Sequence, residues 1–257
     1  MSKEIQNQGA WIFLSHSHKD LEEVRFVRNA FEEMGHNPLM FFLKCLDDDS
    51  ELDDLIRREI EARSWFVLCN SDNAKDSKWV QKEIEMIKSL KGKVFDTINL
   101  DEDPNKQLEL IEEFSKRVTV FISYHLADRE IAQKISDILT DNDFGVYDSQ
   151  LLYSSQDRRN AIDLSVKKGF FLVLLSPKAL GAREINLEIR AALKKLNEEI
   201  NERKTSSIIP ISLINPNEIS KYLATYELWT HKFWDFSRGD MDENMAKLIE
   251  FLKFGAT

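Results

Sequence analysis

Cysteine is scarce in this chain of 257 residues. The two cysteines, Cys45 and Cys69, are too few for a disulfide framework and lack the spacing of a C-x-x-C pair. Free cysteines are among the most buried side chains in proteins, so we expect both to be unpaired thiols that are buried or partly buried. This pattern favours the cytoplasm, where thiols stay reduced.

Long apolar segments are also lacking. The longest candidate, Phe170–Leu175, is much shorter than the ~20 residues that a membrane-spanning helix requires. Residues 1–9 are polar and lack the apolar core of a secretory signal. We therefore expect no membrane partner and no export, and we expect the protein to be cytoplasmic.

Basic residues do not predominate, because 35 Lys and Arg stand against 45 Asp and Glu, giving a formal net charge of −10. A surface that binds phosphates usually carries a cluster of basic side chains. The nearest clusters, Arg57 with Arg58 and Lys194 with Lys195, are isolated pairs on predicted helices and are expected to form solvated faces. No nucleic-acid partner is expected.

The common catalytic motifs are missing too. The sequence has no G-x-G-x-x-G, no G-x-x-x-x-G-K-[ST], no H-E-x-x-H and no G-x-S-x-G, which disfavours a Rossmann oxidoreductase or a P-loop enzyme. His16 and His18 form a His-x-His pair, but a catalytic zinc needs three protein ligands and a structural zinc needs four. We expect no metal and no resident cofactor.

What the chain does contain is an internal repeat. The first aligned block pairs three residues of each half: Phe13 with Phe121, Ser15 with Ser123, and Asp20 with Asp128. A second block aligns Phe66–Ser71 with Phe171–Ser176, and the same alignment brings Glu83 onto Glu188. Two copies of one domain are the simplest explanation. We place the first domain at residues 1–112 and the second at 113–257, with a turn at residues 103–105 between them.

Each copy alternates short β-type runs with helical periodicity. In the first copy the predicted strands are residues 11–15, 39–42, 65–70 and 94–100, and the predicted helices are 20–34, 52–62 and 78–90. In the second copy the strands are 118–124, 145–147, 170–175 and 207–214, the helices are 129–140, 156–168 and 184–199, and an aromatic segment (228–236) and a last helix (242–254) follow. This alternation predicts an α/β fold, with two flavodoxin-like, doubly wound parallel sheets in tandem. Pro210 suggests that its strand lies near a sheet edge or that the residue is near the strand end.

In such sheets ligands bind at the carboxyl ends of the strands. The segment Ser15–Asp20 follows the first strand, so its small polar side chains are candidates for ligand contact. A structural alternative is that Ser17 or Asp20 caps the next helix. Capping and ligand contact can coexist.

A second candidate lies on the predicted helix 78–90. At 100° per residue the apolar side chains cover one face of the helix, and Glu83 falls near the middle of that face. A buried carboxylate is costly unless it is paired or faces a cavity, so Glu83 forms either a structural pair or part of a pocket. Ser77 can cap this helix, and Trp79 lies one turn before Glu83. An aromatic ring beside a lone carboxylate is typical of a small-molecule pocket.

These segments resemble the bacterial branch of the Toll/interleukin-receptor (TIR) domain family. Ile12–Asp20 is similar to that family's box 1, Phe66–Ser71 to its central strand, and Ser77–Glu83 to its Ser-x-Trp-x-x-x-Glu signature. The resemblance covers essentially all of residues 10–100 and, less closely, about 118–215.

The resemblance implies an enzyme that cleaves NAD⁺, as a glycohydrolase or an ADP-ribosyl cyclase, with Glu83 as the catalytic carboxylate. Leu43–Asp49 looks like the family's BB loop, although its sequence departs from the commoner versions. The candidate substrate-binding residues are then Ser15, His16, Ser17, Lys44, Ser77 and Trp79. The family also implies homo-oligomers through TIR–TIR contacts. In bacteria it implies a Thoeris-like role in anti-phage defence, in which a nucleotide product can activate a separate effector protein.

The second copy matches the signature less well. It keeps Glu188, but Ala182 replaces the serine and Glu184 replaces the tryptophan, and the helical wheel puts Glu184 and Lys195 beside Glu188. We interpret it as a degenerate or regulatory copy, with a second active site at Glu188 as the alternative. For the whole chain the alternative function is a non-enzymatic scaffold that binds other TIR domains.

Overall fold

The computed structural model describes residues 9–40, 49–148, 150, 169–198, 208–215, 218–219, 228 and 233–255. Contacts between residues divide the chain into two units. The first is Gly9–Val118, and the second contains the chain from Thr119 onward.

The first unit alternates strands and helices around a parallel sheet. Its elements are β1 (Trp11–Ser15), α1 (Leu21–Glu33), β2 (Asn37–Leu39), α2 (Asp49–Ala62), β3 (Trp65–Asn70), α3 (Asp72–Asp76), α4 (Lys78–Ser89), β4 (Val94–Asn99) and α5 (Pro104–Val118). The strand order is β2-β1-β3-β4, and every neighbouring pair is parallel. The two central strands, β1 and β3, are buried along most of their length.

The core of the first unit has a cluster on each side of these strands. On one side Phe13 and Phe66 meet with ring centroids 5.6 Å apart, and they pack with Ile56, Ile60 and Ile87 from α2 and α4. Elsewhere Phe114 of α5 meets both Phe31 of α1 and Trp65 of β3 edge-on. The apolar stripes of the helices therefore cover the sheet, as the periodicity predicts.

The second unit repeats this arrangement. Its elements are β5 (Thr119–Ser123), a 3₁₀ turn (Leu126–Asp128), α6 (Arg129–Asp141), β6 (Gly145–Asp148), β7 (Phe170–Leu175), a 3₁₀ turn (Ala179–Gly181), α7 (Arg183–Glu198), β8 (Ile208–Ser212), β9 (Trp234–Asp235) and α8 (Met241–Phe254). The strand order is β6-β5-β7-β8-β9, again with parallel neighbours.

The register of the central strands is the same in both units. Phe13 of β1 lies opposite Phe66 of β3, and Phe121 of β5 lies opposite Phe171 of β7. In the second unit the two rings are stacked, with centroids 5.4 Å apart. The predicted fold class, two parallel α/β domains in tandem, is confirmed.

Several local predictions need correction. β2 is Asn37–Leu39, earlier than the predicted 39–42, of which 41 and 42 lie outside the described residues. Pro210 lies in the middle of β8 and not at its end, but β8 is the neighbour of the two-residue edge strand β9, so the expected position near a sheet edge is confirmed. β9 pairs only with Ile211 and Ser212, so the missing amide hydrogen of the proline falls just before that ladder begins. The predicted helix 156–168 lies outside the described residues.

Two further expectations concern buried thiols and membranes. Cys69 is an unpaired cysteine in β3 with no exposed surface, as expected, and burial raises the pKa of its thiol to about 12. Cys45 lies outside the described residues. Within the described parts of the chain, no helix has the length and apolar character needed to span a membrane.

Candidate active site

A small cleft, open to solvent, lies at the carboxyl end of β1. The residues that line it come from β1, from the turn after β1 and from the start of α4: Phe13, Leu14, His16, His18, Ser77, Trp79 and Glu83. Four of these are predicted site residues: His16, Ser77, Trp79 and Glu83. The structure therefore brings His16 together with three residues that lie more than 60 positions further along the chain. The cleft lies where parallel sheets usually bind ligands.

Ser77 sets the position of α4. Its hydroxyl accepts a hydrogen bond from the backbone N–H of Val80, and its own backbone is extended, as expected for a residue that caps a helix. The helix then buries Val80, Glu83 and Ile87, whereas Lys82 and Glu85 are exposed. The apolar face predicted from the sequence is confirmed, with Glu83 within it.

Glu83 is a buried carboxyl group at the wall of the cleft. Its residue is 7% exposed, and its Oε2 accepts a 2.5 Å hydrogen bond from the hydroxyl of Ser15. Burial raises the pKa of Glu83 to about 7, and the hydrogen bond from Ser15 opposes this rise. Near neutral pH the group therefore exchanges between its protonated and charged forms.

Trp79 forms an aromatic wall of the same cleft. It is half-buried, and its ring packs against the cluster that contains Phe13 and Ile87. The ammonium of Lys82 lies 5.4 Å from the ring centroid. One part of the indole is therefore fixed by the core while another part borders the cleft.

Two histidines border the cleft from the turn after β1. The Nδ1 atom of His16 lies 3.1 Å from the carbonyl oxygen of Leu14, and burial lowers the pKa of its imidazole, so the neutral ring is favoured. His18 is exposed. His18 was not among the predicted site residues, although its place in the Ser15–Asp20 segment after β1 is the signal that could have identified it.

Ser17 and Asp20 complete this turn, but neither caps α1. Ser17 is 2% exposed, and its hydroxyl accepts from the N–H of Lys19 at 3.3 Å. Asp20 stands at the capping position of α1 without a side-chain cap bond. Its carboxylate accepts instead from Ser71 at 2.5 Å and from Asn73 at 2.6 Å. The capping alternative is therefore wrong, because long-range partners take the carboxylate.

The other sequence predictions concern Lys44 and metals. Lys44 and most of the predicted BB loop lie outside the described residues. In the portion of the chain that the structure describes, no three His, Cys, Asp or Glu side chains come together as a metal site.

The second unit repeats the serine–glutamate pair. The hydroxyl of Ser123, at the end of β5, donates a 2.5 Å hydrogen bond to Oε2 of Glu188, which is 4% exposed. Glu184 is exposed, and the side chain of Lys195 lies outside the described residues, so the expected charged surroundings of Glu188 stay a prediction. Glu188 is thus at least as buried as Glu83.

A different contrast separates the two units. Tyr124 occupies the repeat position of His16, but it is fully buried, and its hydroxyl donates to Asp148 at 2.9 Å. The sequence alignment contained this substitution, but its partner could be found only from the structure.

The comparison with known proteins agrees with this geometry. The TIR domain family matches the chain twice, over residues 12–116 and 120–250. A search among curated proteins gave no match. With two matches that cover most of the sequence, on two parallel α/β units, the chain belongs to the TIR domain family.

Proposed function

We propose that the first unit cleaves NAD⁺ at the bond between nicotinamide and ribose, with Glu83 as the catalytic carboxylate. The observation that carries this proposal is the position of Glu83, buried in the wall of an open cleft beside Trp79. A buried carboxylate with a shifted pKa in a cleft is a common property of catalytic groups.

The chemistry requires little else. The bond between C1′ of the ribose and the nicotinamide nitrogen breaks, and its electron pair leaves with nicotinamide, which becomes neutral. The remaining ribose has oxocarbenium character, as in glycoside hydrolysis. A carboxylate fixed close to it stabilises the positive charge, most strongly where water is scarce. Water then adds at C1′ and loses a proton, which gives ADP-ribose. Attack by a group of the same nucleotide would give a cyclic product.

The remaining cleft residues are proposed to bind the substrate. Trp79 offers an aromatic surface for a planar ring of the nucleotide. His16 and Ser77 line the cleft and supply polar atoms. Lys44 is a further substrate contact that the family resemblance implies. Ser17 is implied as well, but it is 2% exposed, its hydroxyl accepts from the N–H of Lys19, and it is not among the described residues that line the cleft, so we do not propose it as a contact. NAD⁺ is the substrate in this proposal, so no resident cofactor is needed.

We infer that the second unit is a degenerate or regulatory copy. Its signature has lost the tryptophan, because Glu184 stands in that position and is exposed. The biological proposal is a cytoplasmic role in bacterial anti-phage defence, in homo-oligomers formed through TIR–TIR contacts. The product would be ADP-ribose or a nucleotide derived from it, which a separate effector protein could recognise.

The test is incubation of the purified chain with NAD⁺, followed by chromatography for nicotinamide and mass spectrometry of the second product. Glu83→Gln is nearly isosteric and uncharged, so it should lower the rate by at least about a hundredfold, the loss typical for a preorganised electrostatic group. Glu188→Gln, the same change in the second unit, should keep most of the activity. Absence of nicotinamide at every protein concentration, including under conditions that favour assembly, would favour the scaffold function.

A further inference from the structure

The hydroxyl of Ser15 is directed at Glu83 and not at the cleft. Ser15 is 1% exposed, its Oγ donates to Oε2 of Glu83 at 2.5 Å, and it is not among the described residues that line the cleft. We propose that Ser15 is a positioning residue that acts through Glu83, holding one carboxylate oxygen so that the other addresses the substrate. This inference rests on the proposed cleavage of NAD⁺ at Glu83.

The backbone on each side of this hydrogen bond is fixed. Ser15 is the last residue of β1, which pairs with β2 on one side and with β3 on the other, where Ser15 lies opposite Leu68. Glu83 lies on α4, whose start is fixed by the Ser77 cap. A donor on a central strand therefore determines the orientation of the carboxylate, as preorganised catalysis requires.

The second unit contains a second instance of the same geometry. Ser123 ends β5 as Ser15 ends β1, and it donates to Glu188 at the same distance of 2.5 Å. The pair has been kept although the serine and tryptophan of the signature have been replaced there by Ala182 and Glu184. The strand-end serine is therefore linked to the glutamate itself and not to the residues that line the cleft.

The energetics give this contact a measurable consequence. Burial favours the protonated form of Glu83, and the bond from Ser15 is the interaction that favours the charged form. A hydrogen bond to a charged group corresponds to about one to two pKa units. Without the hydroxyl, a smaller fraction of Glu83 is ionised at neutral pH. The turnover should fall there and recover as the pH is raised.

A substrate contact would behave differently. If Ser15 bound NAD⁺ directly, its removal would raise KM and leave the pH dependence of turnover in place. The positioning role predicts the reverse, because the hydroxyl never touches the substrate. Ser15→Ala should then lower kcat at pH 7 by about fivefold, keep KM within about twofold, and shift the acid limb of the kcat profile upward by about one unit.

The experiment compares the full-length chain with Ser15→Ala, Ser15→Thr and Ser115→Ala. Ser15→Thr keeps the hydroxyl and should recover most of the wild-type pH profile. Ser115 is an equally buried serine of α5, 2% exposed, whose hydroxyl donates to the sulfur of Met34. Its loss controls for the general effect of removing a buried hydroxyl from the same unit.

A second measurement does not depend on activity. Infrared titration, with the Glu83→Gln variant used to assign the band, gives the pKa of Glu83 directly. An upward shift of the Glu83 pKa in Ser15→Ala, absent in Ser115→Ala, supports the positioning role. If this shift is found but the wild-type chain does not cleave NAD⁺, the proposed reaction is refuted, while the effect of Ser15 on Glu83 stands. An unchanged pKa, or a raised KM with kcat and its pH profile preserved, would overturn the inference.

Discussion

The hydroxyl of Ser71 donates a 2.5 Å hydrogen bond to the buried carboxylate of Asp20 and also accepts the N–H of Ala74 at the start of α3. One side chain thus joins the turn after β1, which carries His16 and His18, to the turn after β3. The second unit repeats the arrangement, because Ser176 donates to Asp128 at 2.5 Å and accepts from Ala179. The ends of the two central strands are therefore tied together by side chains as well as by the sheet.

Removal of this carboxylate should destabilise the first unit. Asp20 is 6% exposed and accepts from both Ser71 and Asn73, so Asp20→Ala leaves two donors without their acceptor and should cost about 1–3 kcal/mol. Asp128→Ala is the matched control, since Asp128 is half-buried and shows the bond from Ser176 alone. Denaturant unfolding measures both variants. A cost for Asp128→Ala equal to or above that of Asp20→Ala would contradict this account.

The proposed reaction should depend on pH through Glu83. Because the charged form is the active one and the pKa is about 7, kcat/KM should rise with pH and level off above that value. On the acid side the slope should approach tenfold per pH unit. Steady-state rates of nicotinamide release from about pH 5 to about pH 9 measure the profile. A rate that falls as the pH rises through 7 would show that the protonated carboxyl is the active form.

The carboxyl group of Glu83 should also affect the stability of the fold: the charged form that favours the reaction disfavours folding. The pKa of Glu83 is raised from an ordinary value of 4.5 to about 7 in the folded chain. Below about pH 4.5 the group is protonated in both the folded and the unfolded chain, and the free energy of unfolding is at its full value. As the pH rises through 7 the buried group becomes charged, and this part of the free energy of unfolding is lost. Glu83→Gln should therefore be stabilised relative to wild type as the pH increases, by up to roughly 3 kcal/mol. Thermal unfolding at both ends of this range tests it.

Glu85→Gln is the control for the stability experiment. Glu85 lies on the same helix but is exposed, so its replacement removes the same charge without removing a buried carboxyl. Its stability relative to wild type should not change between the two pH values. If both variants show the same pH dependence, the effect comes from net charge and not from the burial of Glu83.

Trp79 should contribute mainly to substrate binding. Trp79→Ala removes an aromatic wall of the cleft and should raise KM for NAD⁺ by about tenfold or more, since stacking of a base on an aromatic side chain is worth about 1–3 kcal/mol. Trp79→Phe keeps a smaller aromatic surface and should lie between the alanine variant and the wild type. Equal KM values for alanine and phenylalanine would show that the ring does not stack on the substrate.

Much of the fold follows from short-range patterns in the sequence. The repeat, the buried run Phe170–Leu175 and the apolar face of α4 are local features, and the structure confirms them. The position of Glu83 within that face follows from the helical period alone. These features could be predicted because each depends on the spacing of neighbouring residues and not on distant partners.

The side-chain pairings of the site could not be obtained in this way. Ser15 and Glu83 are 68 residues apart, and Asp20 and Ser71 are 51 apart, so their contacts depend on the register of β1 against β3. The alternative that Asp20 caps α1 is wrong for the same reason, since the tertiary partners compete with the helix N-terminus for one carboxylate. Local sequence patterns indicate which groups a side chain can bind, whereas the register of the sheet determines which partner lies beside it.

The position of Cys69 makes its thiol a probe for unfolding of the sheet in the first unit. The thiol lies on β3 with no exposed surface, opposite Ile98 of β4, and its high pKa keeps it protonated and unreactive. An alkylating reagent can reach it only when the strands separate. The rate of Cys69 modification in the native chain therefore measures the unfolding of this sheet, and a ligand that binds the first unit should slow the labelling in proportion to its occupancy.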